Sequence, residues 1–189
     1  MATAWLDHES LSRLFWLGEC LEAFYNNPFF KTFFAYLNQG TMDIFNFFEE
    51  LLDLCQQNNF FQLARTQKLM AEILAALTAS WPDCHLIKEL LIYDWLRCGH
   101  HSLPECLPAN LKESKDHLWH SMPDDMPPLF NRRGRHEFFK RTVFHKFSGE
   151  LLQAAGLTKD EKRDGYVAFL AEETGLPAAR KTVLLPIGN

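Results

Sequence analysis

Along the N-terminal half of the chain, apolar residues recur at three- and four-residue spacing, the period of helices buried on one face. Asp7 is placed to cap a first helix, in which Leu11, Leu14, Phe15, Leu21, Phe24 and Tyr25 continue the stripe. Asn26-Asn27-Pro28 stops that helix and opens the next, because proline fits the first turn of a helix but not its interior. Phe30, Phe33, Phe34 and Leu37 form the second stripe, closed by Gly40. Thr41 or Asp43 caps a third helix with Ile44, Phe47, Phe48, Leu51, Leu52 and Cys55 inward, ended by Gln56-Gln57-Asn58-Asn59. A fourth runs from Phe61 to Leu77, with Leu69, Met70, Ile73, Leu74 and Leu77 on its apolar side and Pro82 as its break. Asp83 opens a fifth, Cys84 to about Cys98, stopped by Gly99. Its apolar set Leu86, Ile87, Leu90, Leu91, Tyr93, Trp95 and Leu96 covers nearly the whole circumference, which predicts a central helix.

The pattern changes after Gly99. Pro104, Pro108, Pro123, Pro127 and Pro128 punctuate a stretch with one short helical segment, Leu111 to His120, as in a long ordered loop or a domain boundary. Beyond it, Arg141 to Phe147, Tyr166 to Ala171 and Thr182 to Ile187 are short apolar runs that read as strands, although Tyr166 to Glu173 fits a helix equally well. The fold class is mainly α, a bundle of about five helices with a small C-terminal antiparallel β element, α+β overall. Residues 1–98 form the bundle, 99–130 the proline-rich loop or boundary, and 131–189 an appendage expected to pack on the bundle as one domain.

Composition sharpens this picture at one point. Seventeen phenylalanines include the doublets Phe29-Phe30, Phe33-Phe34, Phe47-Phe48 and Phe60-Phe61. A doublet cannot point both rings at one neighbour, so the helices need broad apolar surroundings, either within the bundle or against another domain. The net charge of −5 offers no overall attraction to nucleic acid or to an anionic membrane. No apolar run reaches the ~18 residues of a membrane-spanning helix. Five irregularly spaced cysteines and no signal peptide predict reduced thiols in a cytoplasmic protein.

Three groups of residues carry candidate chemistry. Cys98, His100, His101 and Cys106 bring thiols and imidazoles together as a zinc or iron site would, but without the paired Cys-x2-4-Cys spacing, so a helix end with a partly exposed loop explains them as well. His117 and His120 pose the same choice. Asp94, set in Leu90-Leu91-Ile92-Tyr93-Asp94-Trp95-Leu96, is a carboxylate on an apolar helix that requires a cation or hydrogen-bond donors, as either an internal ion pair or a ligand-binding group. Tyr93 beside it fits a core aromatic with a satisfied hydroxyl. Finally, Arg132, Arg133, Arg135, Lys140, Arg141 and Lys146 alternate with Phe138, Phe139, Phe144 and Phe147. Such a mixture grips single-stranded nucleic acid or forms the solvated side of a buried strand, and the acidic remainder of the chain favours the second. The sequence contains no phosphate loop, dinucleotide fingerprint, nucleophile elbow or zincin motif.

Three phrases, taken together, resemble a known family: Leu21-Glu22-Ala23-Phe24-Tyr25-Asn26-Asn27-Pro28-Phe29-Phe30, Phe45-Asn46-Phe47-Phe48-Glu49-Glu50-Leu51, and Glu89-Leu90-Leu91-Ile92-Tyr93-Asp94-Trp95-Leu96. They are similar to the C-terminal domain of unknown function, DUF4080, of cobalamin-binding radical S-adenosylmethionine proteins, over about Leu11 to Phe147. The resemblance implies a helical tail that follows a cobalamin-binding Rossmann-like domain and a radical SAM partial barrel. S-adenosylmethionine, a four-iron four-sulfur cluster and cobalamin would then belong to the longer protein, and its other domains would be the partners of this one. The chain departs from the enzymes of that family in lacking both the Cys-x3-Cys-x2-Cys cluster loop and the Asp-x-His-x-x-Gly cobalamin motif. It therefore looks like the tail alone, with no catalytic residue carried over and with some Phe doublets facing the missing barrel. An independent helical protein-interaction module is the alternative expectation.

Overall fold

The computed structural model describes residues 7–40, 43–122, 134–159, 163–170 and 180–185. The chain is mainly helical with a small antiparallel sheet, and it divides into two compact units, Met1–Ile87 and Lys88–Asn189.

In the first unit α1 (His8–Cys20) starts where Asp7 accepts the Ser10 amide at 2.7 Å. It continues into a single π turn, Leu21–Tyr25, closed by the Asn26 amide donating to the Leu21 carbonyl at 3.0 Å. The wider turn shifts the helical phase, so Ala23 and Phe24 face inward while Leu21 and Tyr25 face outward. The Asn27 side chain accepts the Phe29 amide at 3.1 Å, and Pro28 begins a short 3-10 turn that leads into α2 (Lys31–Gln39). Asp43 caps α3 (Ile44–Gln57) by accepting the Phe45 amide at 2.9 Å, whereas Thr41, the other cap the sequence allows, lies outside the described residues. Asn59, in the left-handed region with φ +52°, ends the segment.

The fourth helix is shorter than its pattern predicts. Phe60–Gln62 form a 3-10 turn, and α4 begins only at Gln67, running to Leu77, because Thr66 Oγ accepts the Leu69 amide at 3.2 Å and sets the start. The core of this unit is aromatic. Phe47 stands with its centroid 5.2–6.2 Å from the rings of Phe33, Phe34, Phe48 and Trp81. Both rings of Phe33-Phe34 and of Phe47-Phe48 are buried, as are Phe30 and Phe60. The doublets thus serve mainly the chain's own core.

The boundary between the units falls within α5 (Cys84–Arg97). Its residues from Leu90 to Leu96 are all buried, as the near-continuous apolar run predicts, and Gly99, with φ +102°, ends it by donating its amide to the Leu96 carbonyl. In the second unit follow α6 (Leu111–Ser121), α7 (Gly134–Arg141), β1 (Val143–Phe147), α8 (Gly149–Ala154), β2 (Gly165–Leu170) and β3 (Lys181–Leu184). The strands pair antiparallel in the order β1-β2-β3, with Val143 opposite Phe169 and Val167 opposite Leu184. The open choice at Tyr166 is resolved as strand. Among the described residues, two helices escape the sequence reading. α7 takes up part of the basic stretch and is supported by the Arg141–Glu137 ion pair one turn apart, and α8 is capped by Ser148, whose Oγ accepts the Leu151 amide at 3.2 Å.

Strand alternation gives the sheet two working faces. Phe144 and Ala168 pack with Leu118 and Met122 at the end of α6 and with Phe138 and Phe139 of α7. Phe147 and Phe169 lie on the opposite face, against Tyr93 of α5 at centroid distances of 5.9 and 5.6 Å. His145 shares this second face, edge-on to Phe147, with Nδ1 buried and unbonded, and burial pushes its pKa down to about 4. Between pH 6.5, where an ordinary imidazole titrates, and about 4, the unfolded chain therefore binds more protons than the folded one. The stability present above that window is lost as pH falls through it, by about 3 kcal/mol for this residue. Urea midpoints at about pH 7 and about pH 4.5 should differ more for the native chain than for His145→Leu. Equal differences would show that the imidazole titrates normally.

Candidate functional site

The phrase Glu89 to Leu96 supplies the anchors of the second unit. Glu89 accepts the Ser148 amide at 3.1 Å and also its hydroxyl, fixing the junction between β1 and α8. Tyr93 Oη lies 3.1 Å from Thr182 Oγ1 on β3, and the Trp95 indole donates to the Ser102 carbonyl at 2.8 Å. Burial pushes the Tyr93 phenol above its usual range, so the hydroxyl stays protonated. Asp94 is wholly buried and accepts Arg97 Nε at 3.2 Å. A carboxylate in the last turn of a helix opposes the helix dipole, and Arg97, one turn on, compensates it. Tyr93 and Asp94 are thus placed as internal supports.

Past α5, the loop carrying the thiols and imidazoles is organised around a residue the sequence reading passed over, Arg180. Its amide donates to the Arg97 carbonyl at 2.7 Å, and its Nη2 donates to the Gly99 carbonyl and to His101 Nε2, each at 2.7 Å. His101 is therefore the neutral tautomer with its proton on Nδ1. His100 stacks on Trp95 with centroids 3.9 Å apart. Burial first, and then the nearby guanidinium, hold both imidazoles below their ordinary pKa. Cys98 and Cys106 are half-buried in the same segment. Among the described residues no group of three or more His, Cys, Asp or Glu is arranged to hold a metal ion. His117 stacks on Tyr166, and His120 Nδ1 lies 2.8 Å from the Asp116 carbonyl.

Arg135, Lys140 and Arg141 of the basic stretch lie on α7, and Lys146 lies on β1. Arg135 sits 5.0 Å from the Trp119 ring centroid and donates to the Trp119 carbonyl, while Arg141 pairs with Glu137. Lys140 lines an open pocket of about 400 Å³ with Lys115, Asp116, Trp119, His136 and Phe139. Arg132 and Arg133 lie outside the described residues.

A further feature belongs to the first unit. Leu14, Leu21, Tyr25 and Ile44, all in phase with the buried stripes, are exposed, together with Phe15 and Phe45 at 59% and 58%. Leu17, Leu21, Tyr25, Asn38, Ile44, Phe45 and Phe48 line a groove of about 320 Å³ with an apolar floor. Tyr25 is held in its wall, edge-on to Phe34 at 5.4 Å, with its hydroxyl accepting Asn38 Nδ2 at 3.1 Å. Hydrophobic periodicity marks most of these positions as apolar, but it cannot tell a face covered by the chain itself from one left open.

The described residues form a mainly helical α+β fold in which Tyr93 and Asp94 are buried and an apolar groove is exposed. Its family model, described as Protein of unknown function (DUF4080), matches residues 1–169, and the chain belongs to that family. No curated protein and no solved structure matches it. No helix among the described residues is long and apolar enough to cross a membrane.

Proposed function

We propose that this domain is a non-catalytic accessory element of a cobalamin-binding radical SAM protein, packing on the radical SAM core and helping to shape or close its substrate site. The groove of the first unit carries the reading: Leu21, Tyr25 and Ile44, in register with the core stripes, stand exposed in its lining together with Phe45. Contiguous apolar surface of this kind marks an interaction face. The partner comes from the resemblance of the three sequence phrases, two of which, around Tyr25 and Phe45, build the groove itself. In this reading S-adenosylmethionine, the iron–sulfur cluster and cobalamin are held by the other domains. Cys20 and Cys55 are packing residues of the helical unit, where both are wholly buried.

The test is Phe45→Glu in the longer polypeptide. Burial of a Phe side chain contributes ~1.5–3 kcal/mol, and a carboxylate in its place adds a desolvation cost, so docking should weaken by at least about tenfold. Cluster content and S-adenosylmethionine binding should stay unchanged while turnover falls, because positioning and exclusion of water are lost. Full turnover by Phe45→Glu would count against the proposal and in favour of a separate protein partner.

A further inference from the structure

The guanidinium of Arg180 is a buried charge in the second unit with one nitrogen left without a hydrogen-bond partner. The residue is 7% exposed, its Nη2 is satisfied by two neutral acceptors, the Gly99 carbonyl and His101 Nε2, and its Nη1 is buried with no hydrogen-bond partner. Among the described residues no carboxylate forms an ion pair with it, and Asp94 pairs with Arg97. The C-terminal end of α5 offsets part of the charge through its carbonyls. An orphaned N–H on a buried cation is nonetheless a costly polar defect, and a ligand that completes it relieves that cost.

The geometry points to Arg180 as the receptor for a small-molecule carboxylate, which takes Nη1 and Nη2 as a two-pronged pair after displacing His101. The parallel N–H groups along one edge of a guanidinium match the two oxygens of a carboxylate. His101 is suited to the place-holding part. Its ring is neutral, it occupies one prong, and the residue is exposed, so it swings out without opening the core. Beside it His100 is stacked on Trp95, whose indole is itself tied to Ser102, so these two rings hold their place when His101 moves. This inference is independent of the docking groove.

Acetate is the probe, titrated into the full chain at constant ionic strength against chloride, with amide resonances and the Arg180 side chain followed by NMR. Saturable shifts at Gly99, His101 and Arg180 are expected with acetate and not with chloride. Arg180→Gln should abolish them, Arg180→Lys should weaken binding at least about tenfold by removing the fork, and His101→Ala should tighten it severalfold by removing the competitor. Equal responses to acetate and chloride, or saturable binding that survives Arg180→Gln, would overturn the assignment. Tighter binding of inorganic phosphate than of acetate would overturn the carboxylate class. If Arg180→Gln fails to fold by circular dichroism, the His101→Ala titration decides, and an unchanged affinity there sinks the proposal.

Discussion

Phe47→Ala is expected to destabilise the helical unit by ~3–5 kcal/mol, among the largest effects available to a single side chain in this protein. The ring is 2% exposed and is surrounded by Phe33, Phe34, Phe48 and Trp81, drawn from α2, α3 and the segment after α4. Removing it deletes both the transfer term and the packing around a cavity that four rigid neighbours cannot collapse to fill. Two residues earlier, Phe45 is mostly exposed, and its replacement by Ala should stay within ±0.5 kcal/mol or so. Urea midpoints of the two variants measure the contrast directly. Equal midpoints would mean that α3 is rotated relative to the burial described.

Asp94→Ala is expected to cost about 3 kcal/mol, by breaking the ion pair that the wholly buried carboxylate makes with Arg97. Asp94→Asn keeps the shape and one acceptor while losing the charge, so its loss should be smaller. An unchanged midpoint for Asp94→Ala would contradict the supporting role and leave the carboxylate free for ligand binding. The prediction is specific to the wild-type surroundings. If Arg97 is replaced by Met at the same time, the combined loss should be less than the sum, because the two groups stabilise each other.

Helix stripes were legible because periodicity and caps agree at particular residues: Asp7 and Asp43 accept the amides expected of them, and Pro28 and Gly99 stand at the element ends. Where two signals compete, spacing alone fails. The apolar Phe60-Phe61 and Leu63 extend the pattern of α4 backwards, but Thr66 offers a better cap and the helix waits for it. The basic stretch alternates aromatic and charged residues as a strand would, yet the residues before Val143 form α7, where Glu137 and Arg141 meet one turn apart. Asp94 was legible as a carboxylate in need of a partner, and Arg97 is that partner. Arg180 was not, because its importance comes from a long-range approach to Arg97, Gly99 and His101 that no local pattern encodes. The groove was half legible: its residues, Asn38 apart, announce themselves as apolar, while the exposure of Leu21 and Tyr25 depends on the phase shift of the π turn.

Hydrogen exchange tests the docking role most directly, by comparing this chain alone with the same residues in the longer polypeptide. If the groove is the contact with the radical SAM core, amides of the π turn and of the start of α3, from Leu21 to Tyr25 and from Phe45 to Phe48, should exchange at least about tenfold more slowly in the longer protein, while those of α6 stay unchanged. Identical exchange at the groove in both contexts would contradict the proposal.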